Sequence, residues 1–519
     1  MSATASTTRE QKSGRSSRRW LIWLFFLVTP FAVIVLGYLF TRFTGSMRLD
    51  EAMVEADRLD PGWRMADLEA SRDPYPKPEL NGMDHVLRVK AAMPKGMWPE
   101  WPFPQFHDDP PYLSEVRQAM NDSLAGERSS PTLLNAEQER VLRAEILRAQ
   151  PAIELGRRMP EFPYGRYPIK LSTDWISTLL PHVQETRKVA YLMSLDGRLR
   201  AHNQDMDGAL HDVKATLYAS RAIGDEQFLI SQLVRIACDT AAVEQLERML
   251  AYGQASDKAL LDLQKELEKQ SRTPYFLNGM RGERAGVDYL LDNVQRGEIT
   301  AAQFRQIQKQ TSSMTFNPLR PSRNEWLVEL EAWRAYLNIR GERAQLLHLM
   351  NKIIELAKQP SWEGAYAIEA LITEESKRSP RLSDIIGSIY LLAFADARSV
   401  AILRTAYTAV AVERFRLAKG RWPNNLAELV PLYLEAVPLD PFDGQPLRMI
   451  RKDQTQIIYS VSQDREDQGG TLLQNLTGKG SDIGFILHDV SQRRLPGKPF
   501  VFPPHEKINI GIGSAHDDK

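Results

Sequence analysis

Asn203-x-Asp205-x-Asp207-Gly208 carries the oxygen-bearing residues of the first half of a helix–loop–helix calcium loop. Such a loop closes with a bidentate glutamate at its twelfth position, where this chain has Lys214, a cation that would repel the metal. A turn running into a helix N-cap is the expectation instead. A second group is repeated: Arg281-Gly282-Glu283-Arg284-Ala285 returns as Arg340-Gly341-Glu342-Arg343-Ala344, 59 residues later. Guanidinium forks so placed could hold an anionic ligand. The simpler expectation is two helices whose glycines face a neighbouring helix and whose charges pair between helices. Glycine costs about 1 kcal/mol against alanine in a helix interior, so its use suggests close approach.

The familiar catalytic patterns are missing. The nine histidines form no His-Glu-x-x-His and no zinc-spaced cluster with cysteine. There is no phosphate-binding glycine loop and no Gly-x-Ser-x-Gly elbow. Cys238 is the only cysteine, so no internal disulfide forms. It sits in an apolar helical stripe, Leu233 to Cys238, as a core residue rather than a nucleophile. No catalytic residue can be named, and whether the chain is an enzyme stays open.

These groups must be positioned by helices. Residues 132 to 158 and 172 to 400 read as helices in series, with no sheet expected between 172 and 400. Leu210, Val213 and Leu217 share one face before the break Gly224-Asp225. Leu229, Leu233, Ile236, Val243, Leu246 and Leu250 follow, up to Gly253. Ser256 is an N-cap candidate for a third helix with Leu260, Leu263 and Leu267 on its stripe. Short breaks imply antiparallel neighbours. Upstream, Asp60-Pro61-Gly62-Trp63 interrupts a helical stretch, and Pro94 to Tyr112 is too rich in proline for helix and reads as an aromatic strap.

Trp20 to Thr41 contains no charged side chain and is long enough to cross a hydrocarbon core of roughly 30 Å. Trp20, Trp23 and Tyr38 lie near its ends, at headgroup level. Arg9, Lys12, Arg15, Arg18 and Arg19 precede it, while only Arg42 and Arg48 follow closely. The positive-inside rule places the N-terminus in the cytoplasm and the bulk outside. The stretch is longer than a signal-peptide core and lacks a small-x-small cleavage site, so an uncleaved anchor is expected.

The stretch from Arg398 to Phe485 begins with a helix, Ala401 to Lys419, closed by Gly420. Arg421-Trp422-Pro423, a short helix over Leu426 to Val430, and Val437-Pro438-Leu439-Asp440-Pro441-Phe442-Asp443-Gly444 follow. Two strands are expected next, Leu447 to Arg451 and Gln456 to Ser462. The order resembles the globular part of the major pseudopilins of type II secretion systems. There a long helix leads to Gly-x-[Trp/Tyr]-Pro, Leu-x-x-Leu, Pro-x-Asp-Pro-[Phe/Trp]-Gly, a Tyr-Ser strand and an acidic loop ending in Asp-Ile. The matching residues are Gly420, Trp422, Pro423, Leu426, Leu429, Pro438, Asp440, Pro441, Phe442, Gly444, Tyr459, Ser460, Asp464, Asp482 and Ile483. The resemblance covers under a fifth of the chain and extends to C-terminal regions of large bacterial membrane proteins. It implies a calcium ion held in the acidic loop by Asp464, Asp467 and Asp482, with backbone and water oxygens completing the shell. The alternative is a solvated acidic loop. The apolar assembly helix of a pilin directly precedes this domain, whereas here the membrane segment lies some 360 residues upstream.

The expected fold is mainly α, with one N-terminal transmembrane helix, a multi-helix extracytoplasmic region and a small C-terminal α+β pseudopilin-like domain. The divisions are a basic tail over 1–19, the span over 20–41, a membrane-proximal region over 42–131, helices over 132–397, the pseudopilin-like part over 398–490 and a tail over 491–519. Net charge is zero, without the basic surplus of a nucleic-acid binder. The expected partners are a membrane, through one helix, and another protein. The function read from this is a protein-interaction scaffold, with an envelope enzyme or an accessory of a secretion or pilus-like system as alternatives.

Overall fold

The structure is a computed structural model describing residues 16–72, 77–95, 130–314, 333–378, 388–472 and 481–497. The aromatic strap, apart from Pro94 and Lys95, lies outside the described residues, as do most of the basic tail and the end of the chain. The protein is mainly helical with one small antiparallel sheet.

Helix α1, Ser16–Leu59, has 44 residues and includes Pro30. Its apolar part is long enough to cross a membrane. Phe31, Val33, Leu36, Leu39 and Phe40 all face outward. The sequence suggests a span and then a separate helix; the chain instead continues helically from one into the other. It breaks where expected, at Asp60 to Trp63, with Gly62 at φ 75°. Short helices α2, Met65–Ser71, and α3, Gly82–Ala92, follow. Helices α4, Ala136–Arg148, and α5, Gln150–Gly156, come next, the first opened by an Asn135–Gln138 capping box.

Helices α6, Pro181–His202, α7, Met206–Arg221, and α8, Leu229–Tyr252, fold back on one another. Thr216 Oγ1 donates to Ala190 O at 3.4 Å across the first pair, and Ser220 Oγ donates to Arg235 O at 3.2 Å across the second. The suspected calcium half-loop is the α6–α7 turn. Asp205 caps α7 by accepting from Gly208 N at 3.1 Å and pairs with Arg200 at 2.7 Å. Helix α9, Asp257–Gln270, is capped by Ser256 and buries Leu260, Leu263 and Leu267. Then come α10, Tyr275–Arg296, α11, Ala301–Met314, α12, Ile339–Ala357, α13, Ser361–Arg378, and α14, Ile389–Lys419. Among the described residues between 172 and 400, every helix or strand element is helical.

Gly420, at φ 70°, ends α14 as expected, but that helix starts upstream of Ala401 and buries nearly every side chain from Ser399 to Phe415. The sheet is β1, Arg448–Lys452, β2, Thr455–Ser460, and β3, Ile483–His488, in that order. The third strand was not expected; it pairs Ile483 with Ser460 and Phe485 with Ile458. One apolar core runs from Leu246 and Leu263 through Ile353, Phe394 and Val410 to Ile458 and Phe485, joining sheet and helices. A second, with Val86, Ile153, Leu192 and Tyr218, lies under α3 to α7.

Candidate functional site

The structure places the two Arg-Gly-Glu-Arg segments at different levels along α1, the first at its C-terminal end and the second beside Gly45 and Ser46. Asp60, just past that helix, takes Arg281 at 2.7 and 2.9 Å and also Arg284. Arg284 is fully buried, donates to Asn351 Oδ1 at 3.0 Å and lies 5.2 Å from the Trp63 ring centre. Arg343 grips Asp288 with both arms, at 2.6 and 2.9 Å, and Asp292 at 2.5 Å. Asn351 Nδ2 and His348 reach Glu55 on α1 at 3.2 and 2.8 Å. Burial alone would raise the Asp60 carboxyl, but the hydrogen bonds and charges of Arg281 and Arg284 outweigh it and hold it below its ordinary value.

The two glycines behave differently. Gly341 packs against Gly45 of α1, where a Cβ on Gly45 would meet Gly341 N at 3.1 Å. Gly282 meets a loop first. Its close neighbour is the backbone of Gln227 in the α7–α8 loop, and a Cβ there would stand 1.5 Å from Gln227 O. Arg281, Arg284 and Arg343 thus have protein carboxylates as partners, as the ion-pair reading expects.

In the acidic loop, Asp467 accepts from Tyr459 Oη at 3.1 Å and Gly469 N at 2.8 Å, and pairs with Arg448 at 3.1 Å. Asp482 accepts from Gly470 N at 2.7 Å, and Asp464 from Glu466 N and Gln468 Nε2, both at 3.2 Å. Among the described residues no three His, Cys, Asp or Glu side chains converge to hold a metal. Residues 473–480 of the loop lie outside the described residues. Asp440, another residue of the pseudopilin-like pattern, is buried and accepts from Phe442 N, Ser460 Oγ and Val461 N at 2.8 to 2.9 Å. It ties the turn to β2.

Sequence reading missed the titratable groups inside the body. Asp196 on α6 and Asp212 on α7 are both buried, flanked by Arg157 at 2.8 Å from Asp196 and Arg200 at 3.2 Å from Asp212. Burial first, and the charge of Asp196 second among the raising effects, push the Asp212 carboxyl up to about 7. No sequence motif links these residues; only the turn at 203–205 brings them level. Near them, an open cleft of about 230 Å³ is lined by Asp207, His211, Lys214, Ser256, Lys258 and Asp262. His182 and Ser231 both bond the Glu226 carboxylate, the histidine at 2.7 Å, in a fully buried knot. Cys238 is buried and its thiol is pushed up to about 12, an inert state.

Compared with protein-family models, with curated proteins and with solved structures, the chain gives no match in any of the three.

Proposed function

We propose that the chain is a single-pass, membrane-anchored scaffold of the bacterial envelope that binds other proteins and holds them at a set orientation to the bilayer. The observation that supports this is the helical continuity of α1 from an outward-facing apolar stretch into a clamped seam on α10 and α12. A helix fixed this way transmits position, which a flexible tether would not. The apolar stretch lies in the membrane, the N-terminus faces the cytoplasm and the body lies outside.

The C-terminal part is a pseudopilin-like module used without fibre assembly. A long helix, Gly420, the Trp422-Pro423 corner, a 3₁₀ turn over Leu426–Leu429, the Asp440 turn and a Tyr-Ser strand follow in the order that resemblance implies. This order favours, as a second reading, an accessory role beside a secretion or pilus-like machine.

Native extraction of the full-length chain tests the scaffold. It is expected to migrate in a complex larger than its own detergent-bound monomer. Inserting a flexible Gly/Ser segment between Phe43 and Thr44 is expected to leave the body folded and membrane-bound while dissolving that complex. A wild-type chain that extracts only as a monomer overturns the reading. A fusion reporter after Lys519 that is active in the cytoplasm overturns the topology.

A further inference from the structure

The last carbonyl groups of an α-helix have no partner in its own ladder. Helices α6 and α8 end at the same place, at His202 and Tyr252, and Arg494 serves both. Its N–H donates to Ala251 O at 3.1 Å, and its guanidinium donates to Tyr252 O at 3.2 Å, Ala201 O at 3.1 Å and His202 O at 3.0 Å. One cation thus sits at the negative ends of two helix dipoles. Arg494 has φ 59°, a left-handed conformation that a side chain adopts only where its surroundings over-determine it. The preceding Arg493 is buried, clamps Glu413 of α14, and donates to Gly253 O at 2.9 Å and His488 O at 3.0 Å. At the start of this strap, Asp489 N donates to Gln454 O at 2.9 Å, in the turn between β1 and β2.

The strap continues to the segment that precedes α4. Leu495 N donates to Pro131 O and Leu133 N donates to Leu495 O, both at 2.9 Å, so the two stretches pair in parallel. Gly497 lies against Leu134 and Asn135, where a Cβ would stand 2.8 Å from Leu134 O and Asn135 N. Leu134 is buried in the second core, and Asn135 caps α4. The strap therefore leaves β3, whose Phe485 and Leu487 belong to the main core, and ends on the second. Its own apolar side chains bury little, with Val490 at 53% and Leu495 at 39% exposure. Polar bonds hold it, so it can part from the body without either core opening.

We propose that residues 489–497 are a clasp that opens and closes as a unit, and that through it the C-terminal sheet governs whether residues 131–135 are seated on the helices. Those residues lead into α4, so the clasp couples the sheet to the first helices of the second core. Such coupling is reciprocal: loosening either stretch loosens the other by the same factor.

Hydrogen–deuterium exchange on the full-length chain in detergent tests the clasp. Arg494→Gly removes the guanidinium while leaving the backbone free to keep its positive φ, and Gly497→Val pushes the strap off Leu134 and Asn135. Each is expected to speed exchange over 131–139 and 489–497 about tenfold or more, with β2 and α9 unchanged. Asn135→Ala, on the other side of the contact, is expected to speed exchange over 493–495. Arg421→Gln is the control, because the Arg421 guanidinium reaches Glu428 outside the strap, and it is expected to change neither stretch. Unchanged exchange over 131–135 in both strap variants overturns the proposal, and so does a wild-type rate over 493–495 in Asn135→Ala. Loosening of β2 and α9 to the same degree also overturns it, because the strap would then belong to one cooperative core.

Discussion

Where residues 42–59 of α1 meet the body, few apolar side chains take part: Leu49, Ala52, Ala56 and Trp63 against Ala344 and Leu347. Orientation there comes from charge, with Asp60 between two arginines and Glu55 against His348. Where the C-terminal sheet meets the body, Ile458, Phe485 and Leu487 enter the main core directly. Charges are buried within that joint beside the apolar core: Arg493 on Glu413 at 2.9 and 3.0 Å, and Ile486 N donating to Glu247 at 2.7 Å. Ion pairs specify geometry but contribute little net stability once desolvation is counted, whereas a continuous apolar core makes folding cooperative. The α1 seam is therefore a directional joint and the sheet is part of the body.

The comparison is broken most severely at Phe485. Phe485→Ala is expected to cost about 3–5 kcal/mol and to lower the stability of helices and sheet together in one denaturant transition. Separate transitions for probes on α8 and β2 would show that the sheet is an independent unit. Next is Arg284→Met, which leaves Asp60 with Arg281 alone and exposes the Trp63 face. Removing one partner of a buried pair costs about 3 kcal/mol or more. Pairing it with Asp60→Asn is expected to restore part of the loss, and no recovery in that double variant would mean that shape, not charge, sets the seam.

Acidity sharpens the contrast. The Asp60 carboxyl is lowered in the folded protein, so its contribution is present above the ordinary carboxylate value and is lost as pH falls through the folded one. Asp212 has the opposite sign. Its contribution is full below the ordinary value of 3.8 and is lost as pH rises towards about 7. Asp212→Asn is expected to flatten the fall in body stability over that range, a change on the order of a few kcal/mol, while leaving the seam's acid sensitivity unchanged. Thermal melts across the pH range check this, and an unaltered slope refutes it. The smallest effect expected is from calcium. Because Arg448 and backbone N–H groups already occupy the Asp467 and Asp482 carboxylates, millimolar calcium should shift melting by less than about 1 °C. A rise of several degrees, reversed by chelator, would restore the ligand set that the pseudopilin resemblance implies.

Local signals carried much of the fold. Ser256, Gly224, Gly253 and Gly420 mark real helix ends because caps and positive φ act within a few residues. What the sequence hid is long-range. Asp60 and Arg284 stand 224 residues apart, and no periodicity links them. The parallel pairing of α1 with α12 includes a close approach at Gly45, which reads locally only as a weak helix former. Strand β3 escaped notice because Gly484 interrupts a short alternating run whose partner lies beyond the acidic loop. Among the expected site residues, Asp467 and Asp482 both lie near Tyr459, but their hydrogen-bond partners could not be read from spacing.

The helix that leaves the apolar stretch has a mechanical consequence. Beyond Gly45, α1 is held on α12, so the outer half of the helix and the body form one lever arm. Pro30 lacks the N–H that would continue the helical ladder, which puts the compliant point inside the apolar stretch. In a bilayer, the arm would pivot from within the hydrocarbon rather than at the surface. A change in membrane thickness that alters the helix tilt would then swing the body through the same angle.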